Sequence, residues 1–90
     1  MVLLDLLGRR MALRVLWELS RADGPLTFRA LQAAAETNPA LLNSRLKELR
    51  AAGIVAHESK GYVLSKDGRR LLRLLLPLNA WADQWAATLR

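Results

Sequence analysis

TNPALLNSRLKELRAAGIV (residues 37–55), running directly into AHESKGYVLS (56–65), reads as a capped helix followed by a two-stranded hairpin. Asn38 can accept the first free backbone N–H groups, and Pro39 suits the first helical position, where its missing N–H costs nothing. Leu42, Leu46 and Leu49 recur at four and three residues and make one apolar stripe. The opposite face carries Ala40, Asn43, Ser44, Lys47 and Arg50, short polar side chains that turn basic toward the far end. Gly53 supplies a left-handed stop after the last turn. One dry face and one short-sided basic face suit insertion into a DNA major groove. They equally suit ordinary exposure to water, so the rest of the chain has to decide.

Working outward toward the N-terminus, Val2 to Leu7 predicts a short apolar helix that Gly8 stops or bends. Arg10 to Arg21 predicts a second helix, with Leu13, Leu16, Trp17 and Met11 turned inward. Asp23-Gly24-Pro25 is a turn signal, Leu26 fits a short strand, and Thr27 can cap a helix over Phe28 to Ala35 with Phe28, Leu31 and Ala35 as its buried row. Two helices joined by Glu36-Thr37-Asn38 have the spacing of a helix-turn-helix. Toward the C-terminus, Ile54–Glu58 and Tyr62–Ser65 alternate as a hairpin bent at Ser59-Lys60-Gly61. Ser65 then opens a last helix with Asp67 in its first turn, and Pro77 predicts a kink between Arg73 and Pro77. Leu71, Leu74, Leu75, Leu78, Trp81 or Ala82, Trp85 and Leu89 keep helical spacing on that helix, and Leu72 and Leu76 widen the stripe. His57 falls on a wing strand as an exposed, structural residue.

Composition restricts the function classes. Ninety residues, 52% of them hydrophobic, form one domain over residues 1–90 with a leucine- and alanine-built core. The absence of cysteine leaves no disulfide, thiolate metal site or thiol sensor, and a single histidine builds neither a metal site nor a triad. With no glycine-rich phosphate loop and no presented carboxylate pair, neither an enzyme nor a cofactor is expected. Nothing approaches the roughly 18 apolar residues of a membrane span. The N-terminal MVLLDLLGRRM, with its early Asp5, makes a poor signal peptide, so a cytoplasmic location is expected.

The net charge of +6 is unevenly spread. Residues 37–70 hold seven basic and three acidic side chains, while residues 1–36 hold five and four. The surplus sits on the candidate helix, the hairpin and the turn beyond. Such a surface points to a polyanion partner or to a merely solvated basic face.

Three blocks in order carry a family resemblance: LLGRRMALRVLWELSRADGPLTFRALQ (6–32), NSRLKELRAAGIV (43–55) and YVLSKDGRRLLRLLLPLNAWADQW (62–85). Together they resemble the HxlR-type transcription regulators, relatives of the MarR group. The resemblance implies a mainly α fold with a small β-hairpin, a winged helix-turn-helix with N- and C-terminal dimerisation helices. It implies a dimeric DNA-binding regulator, a repressor, that inserts helix 39–52 into the major groove of double-stranded DNA. The base-facing side chains would be Asn38, Ala40, Leu41, Asn43, Ser44 and Lys47. Asn can bond adenine in a bidentate way, while Lys favours guanine acceptors or phosphate. Arg29, Lys60, Lys66, Arg69 and Arg70 would clamp phosphates; Arg45 could do so too, or pair with an acid such as Glu36.

Leu3, Leu4, Leu7, Leu74, Leu78, Trp81 and Trp85 would form the homodimer interface, unless the two terminal helices pack on each other within one chain. The chain departs from the family pattern in three places. It has no N-terminal cysteine, which excludes thiol sensing; Asn38-Pro39 replaces a Gly-Ile-Ser type sequence; and its short wing offers little more than Lys60 to a minor groove. A different class of function, a winged-helix module that binds another protein through its apolar terminal helices, stands as the alternative.

Overall fold

The computed structural model describes residues 2–89. Four helices come first: α1 (Val2–Leu7), α2 (Ala12–Arg21), α3 (Phe28–Ala35) and α4 (Pro39–Ala51). An antiparallel hairpin of β1 (Val55–Glu58) and β2 (Gly61–Leu64) follows, and α5 (Lys66–Thr88) ends the chain. This is the expected winged helix-turn-helix order. Among the described residues no helix is long and apolar enough to cross a membrane.

Local chemistry sets the helix ends. Thr27 Oγ1 accepts the Ala30 N–H at 3.1 Å and starts α3, which buries Leu31 and Ala35 as the spacing predicts and leaves Phe28 half-buried against the core. Asn38 Oδ1 accepts the Leu41 N–H at 2.8 Å and starts α4. Glu36, at φ 55, ends α3 in the left-handed region, and its N–H returns to the α3 carbonyls.

The hairpin pairs Val55 with Leu64 and His57 with Tyr62, whose rings stack at 4.0 Å. Leu26 adds a third, one-residue strand by exchanging two backbone bonds with Tyr62. Gly61 is required at this point: its φ is +140, and a Cβ would run into the Leu26 carbonyl.

The core centres on α2, with Val15, Leu16, Leu31, Leu42, Leu46 and Leu49 fully buried. Two sequence expectations for α2 need correction. It begins at Ala12 rather than Arg10, because Met11 takes a left-handed conformation (φ 73) that turns the chain between α1 and α2. Its buried row is Ala12, Val15, Leu16 and Leu19. Leu13 and Trp17 sit one step round the helix and are exposed, Trp17 at 37%. That row recurs at three, four and seven residues from Ala12, whereas Leu13 and Trp17 share their side of the helix with Arg14 and Arg21. The displaced Leu13 and Trp17 line an apolar groove of about 430 Å³ against Leu75, Leu78 and Ala82 of α5.

The start of α5 explains the Ser-x-x-Gly-Arg signature. Ser65 Oγ accepts the Gly68 N–H at 2.9 Å and donates to the Gly53 carbonyl at 2.6 Å. Gly68 lets the first turn lie directly on the Ile54 carbonyl, where any Cβ would clash. Arg69 Nη1 donates to the Leu64 carbonyl at 3.0 Å. The helix continues through Pro77 to Thr88, and past the half-buried Leu75 its large apolar residues are exposed.

Candidate nucleic-acid interface

At about 100° per residue, Ala40, Asn43, Ser44 and Lys47 fall within one sector of α4, opposite Leu42, Leu46 and Leu49. All four are exposed. Asn38 is exposed too, but its Oδ1 is occupied by the cap, which leaves the side-chain NH₂ as the group free to meet a base edge. Leu41 does not share this sector. It is half-buried and lies on the flank with Arg45 and Glu48. Arg50 does share it, one turn beyond Lys47, and is exposed. The interval of three residues from Lys47 makes it readable in the sequence as a further cation on the same face.

Arg45 is engaged within the protomer, and its acidic partner is Glu48 rather than Glu36. Its side chain is only 15% exposed; Nε donates to the Arg10 carbonyl at 2.8 Å and Nη1 to Glu48 at 2.7 Å. Arg9 reaches the same carboxylate at 2.8 Å. Partial burial pushes the Glu48 carboxyl up, but the bonds and charges of Arg45 and Arg9 outweigh it and hold its pKa below the ordinary 4.5. This cluster fastens the turn before α2 to the flank of α4. Periodicity gives no hint of the Arg9 contact, since Arg9 and Glu48 lie 39 residues apart.

Of the other cations assigned to phosphate, Arg29, Lys60 and Lys66 are exposed and enter no ion pair among the described residues. Arg69 is oriented by Leu64. Arg70 lies 3.4 Å from Asp67, with both side chains mostly in water, a pair of little energetic weight.

The residues assigned to an interface divide. Leu3, Leu4, Leu74, Leu78, Trp81 and Trp85 are exposed, and Trp81 and Trp85 stack with ring centroids 5.9 Å apart. Leu7 is not on that surface: it is 7% exposed and packs into the protomer's own core, because α1 is laid against α2 by the turn at Gly8–Met11.

The model of the HxlR-like helix-turn-helix family matches residues 6–89. The fold is similar to that of "a possible HxlR family transcriptional factor" from Thermoplasma volcanium GSS1, with a TM-score of 0.83 and 22% identity over 92% of this chain and 80% of that one. It is also similar to quinone-bound YodB from B. subtilis, with a TM-score of 0.80 and 32% identity over 89% of this chain and 90% of that one. No curated protein matches the sequence.

Proposed function

The chain belongs to the HxlR-like helix-turn-helix family, and from that premise we propose that it is a dimeric transcription repressor that reads DNA with the exposed face of α4. The observation that carries this reading is the α4 sector itself: Ala40, Asn43, Ser44, Lys47 and Arg50 in water on one side, three leucines in the core on the other. The small side chains permit close approach to base edges, and the cations at the far end favour the phosphates flanking a groove. Arg29, Lys60, Lys66 and Arg70 supply further backbone contacts, each adding about 0.9 to the salt dependence of binding.

Dimerisation through α1 and the distal half of α5 supports the same reading. Eight large apolar side chains, Val2, Leu3, Leu4, Leu74, Leu76, Leu78, Trp81 and Trp85, stand exposed on these two helices, with Leu89 at the C-cap of α5. Exposure of that many large apolar side chains is atypical of a free monomer. A two-fold pair would set two copies of α4 roughly 34 Å apart, one turn of B-DNA. The cytoplasm is the fitting location for such a regulator. With no cysteine in these residues, a thiolate adduct is closed to it as a signal.

A gel shift on genomic fragments across a salt series tests the assignment. A fragment bound more tightly than about 1 μM at low salt, weakened by Lys47→Ala and by salt, is the expected result. If nothing binds and Lys47→Ala changes nothing, the terminal helices serve another protein and the regulator reading is lost. Trp85→Glu should give monomers by light scattering; an unchanged dimer removes the interface.

A further inference from the structure

A second cleft, of about 510 Å³, opens between the end of α2, the Asp23-Gly24 turn, β2 and the first half of α5. Its floor is apolar, with Leu19, Leu64 and Leu72 buried and Val63 half-buried. Its rim carries two guanidinium groups, Arg69 and Arg73, one helical turn apart on α5. Arg69 is already oriented by its bond to the Leu64 carbonyl. Neither arginine enters an ion pair among the described residues, and Asp23 is the lone carboxylate in the lining. No residue of α3 or α4 contributes, so the cleft is separate from the base-facing side of α4, and Arg69 alone is shared with the cations assigned to phosphate.

From this geometry we propose that the cleft binds a small organic anion, a carboxylate carried on a compact apolar body. A guanidinium fork matches a carboxylate in charge and spacing, and two forks a turn apart on one face of α5 put two sets of donors along the same rim. The leucine floor selects what is attached. An inorganic phosphate or a DNA backbone gains from the arginines and nothing from Leu19, Leu72 and Leu76; a neutral apolar molecule gains from the leucines alone. A mostly apolar pocket with a few convergent charges is the usual form of a small-molecule site. The groove at Leu13 and Trp17 lacks this character. Its one cation, Arg14, is occupied by Glu18 and by the Ala34 carbonyl, and the groove runs into the exposed face of α5.

Methyl NMR of the full chain, titrated separately with 2-naphthoate, its neutral amide 2-naphthamide and inorganic phosphate, tests the assignment. Saturable shifts of the Val63, Leu64, Leu72 and Leu76 methyls are expected with naphthoate, with binding at least about tenfold weaker for the amide and for phosphate. Arg73→Gln should weaken naphthoate about tenfold with an unchanged thermal melt, and Arg73→Lys, which keeps the charge without the fork, should fall between. The proposal is overturned if no saturable shift appears below about 10 mM, if amide and acid bind alike, or if Arg73→Gln is without effect. Shifts confined to the Leu13–Trp17 groove, or produced in the cleft by duplex DNA and not by naphthoate, overturn it as well.

Discussion

Gly68→Ala in the first turn of α5 should destabilise the protein, although the same change in most helices does the opposite. In an open helix, alanine is worth about 1 kcal/mol over glycine. Here the new Cβ would point into the Ile54 carbonyl, backbone that cannot rotate aside. That oxygen accepts the Ser65 N–H at 2.9 Å and is also within reach of Ser65 Oγ at 3.1 Å. Relief therefore requires α5 to lift off the end of α4 and the hairpin, stretching both bonds. Overpacking of this kind costs about 1–3 kcal/mol, and each weakened hydrogen bond adds about 0.5–1.5 kcal/mol.

Against the helix gain, the net loss comes to about 1–5 kcal/mol. For a domain of this size that lowers the melting temperature by roughly 4–8 °C per kcal/mol. Urea and thermal unfolding followed by circular dichroism at 222 nm would read it. Gly24→Ala is the control: a Cβ there meets nothing within 4 Å, and the change should stay within about 0.5 kcal/mol of the parent. If Gly68→Ala melts at or above the parent temperature, the close approach of α5 to Ile54 is wrong.

Two further substitutions test the local chemistry. Glu36→Gly should stabilise the fold by about 1 kcal/mol, since Glu36 is exposed and held at φ 55, where glycine is unstrained; a lower melting temperature would show that the side chain contributes an interaction of its own. Glu48, whose carboxyl is held below 4.5, stabilises the native state above that pH and loses the effect as pH falls through its lowered native value. Thermal melts from pH 7 to 3 should thus show a steeper acid decline in the parent than in Glu48→Gln, and parallel declines would remove the Arg9–Glu48–Arg45 cluster as a contributor.

Where the determinant is a neighbour in sequence, the residues alone were informative. Thr27, Asn38-Pro39 and Gly53 act within their own turn, so the limits of α3 and α4 agree with the structure. The hairpin follows from its alternation, and the exposed sector of α4 from the position of its three leucines. Choosing between rows on α2 was another matter. Leu13 and Trp17 are bulkier than Ala12 and Val15, but they share their side with Arg14 and Arg21, and the row of Ala12, Val15, Leu16 and Leu19 is the one buried. Leu7 went astray for a related reason: its fate hangs on the left-handed turn at Met11, a residue type that rarely marks such a turn. Arg45 and Glu48 could be placed side by side on one flank, but Arg9 and the Arg10 carbonyl arrive from a distance that spacing cannot reveal.

The central position of α2 has a consequence for how the molecule comes apart. This ten-residue helix packs against α1, α3, α4, β2 and α5, so each of those elements loses a neighbour when α2 melts, and α1, α3 and α5 lose their largest. The helix-turn-helix pair has no separate core to fall back on, and neither has the hairpin. Unfolding is then a single cooperative event centred on Val15, Leu16 and Leu19, and the amides of that helix open to exchange only with the whole protein. In the lone protomer the distal half of α5, which buries almost nothing, frays independently and far below that free energy.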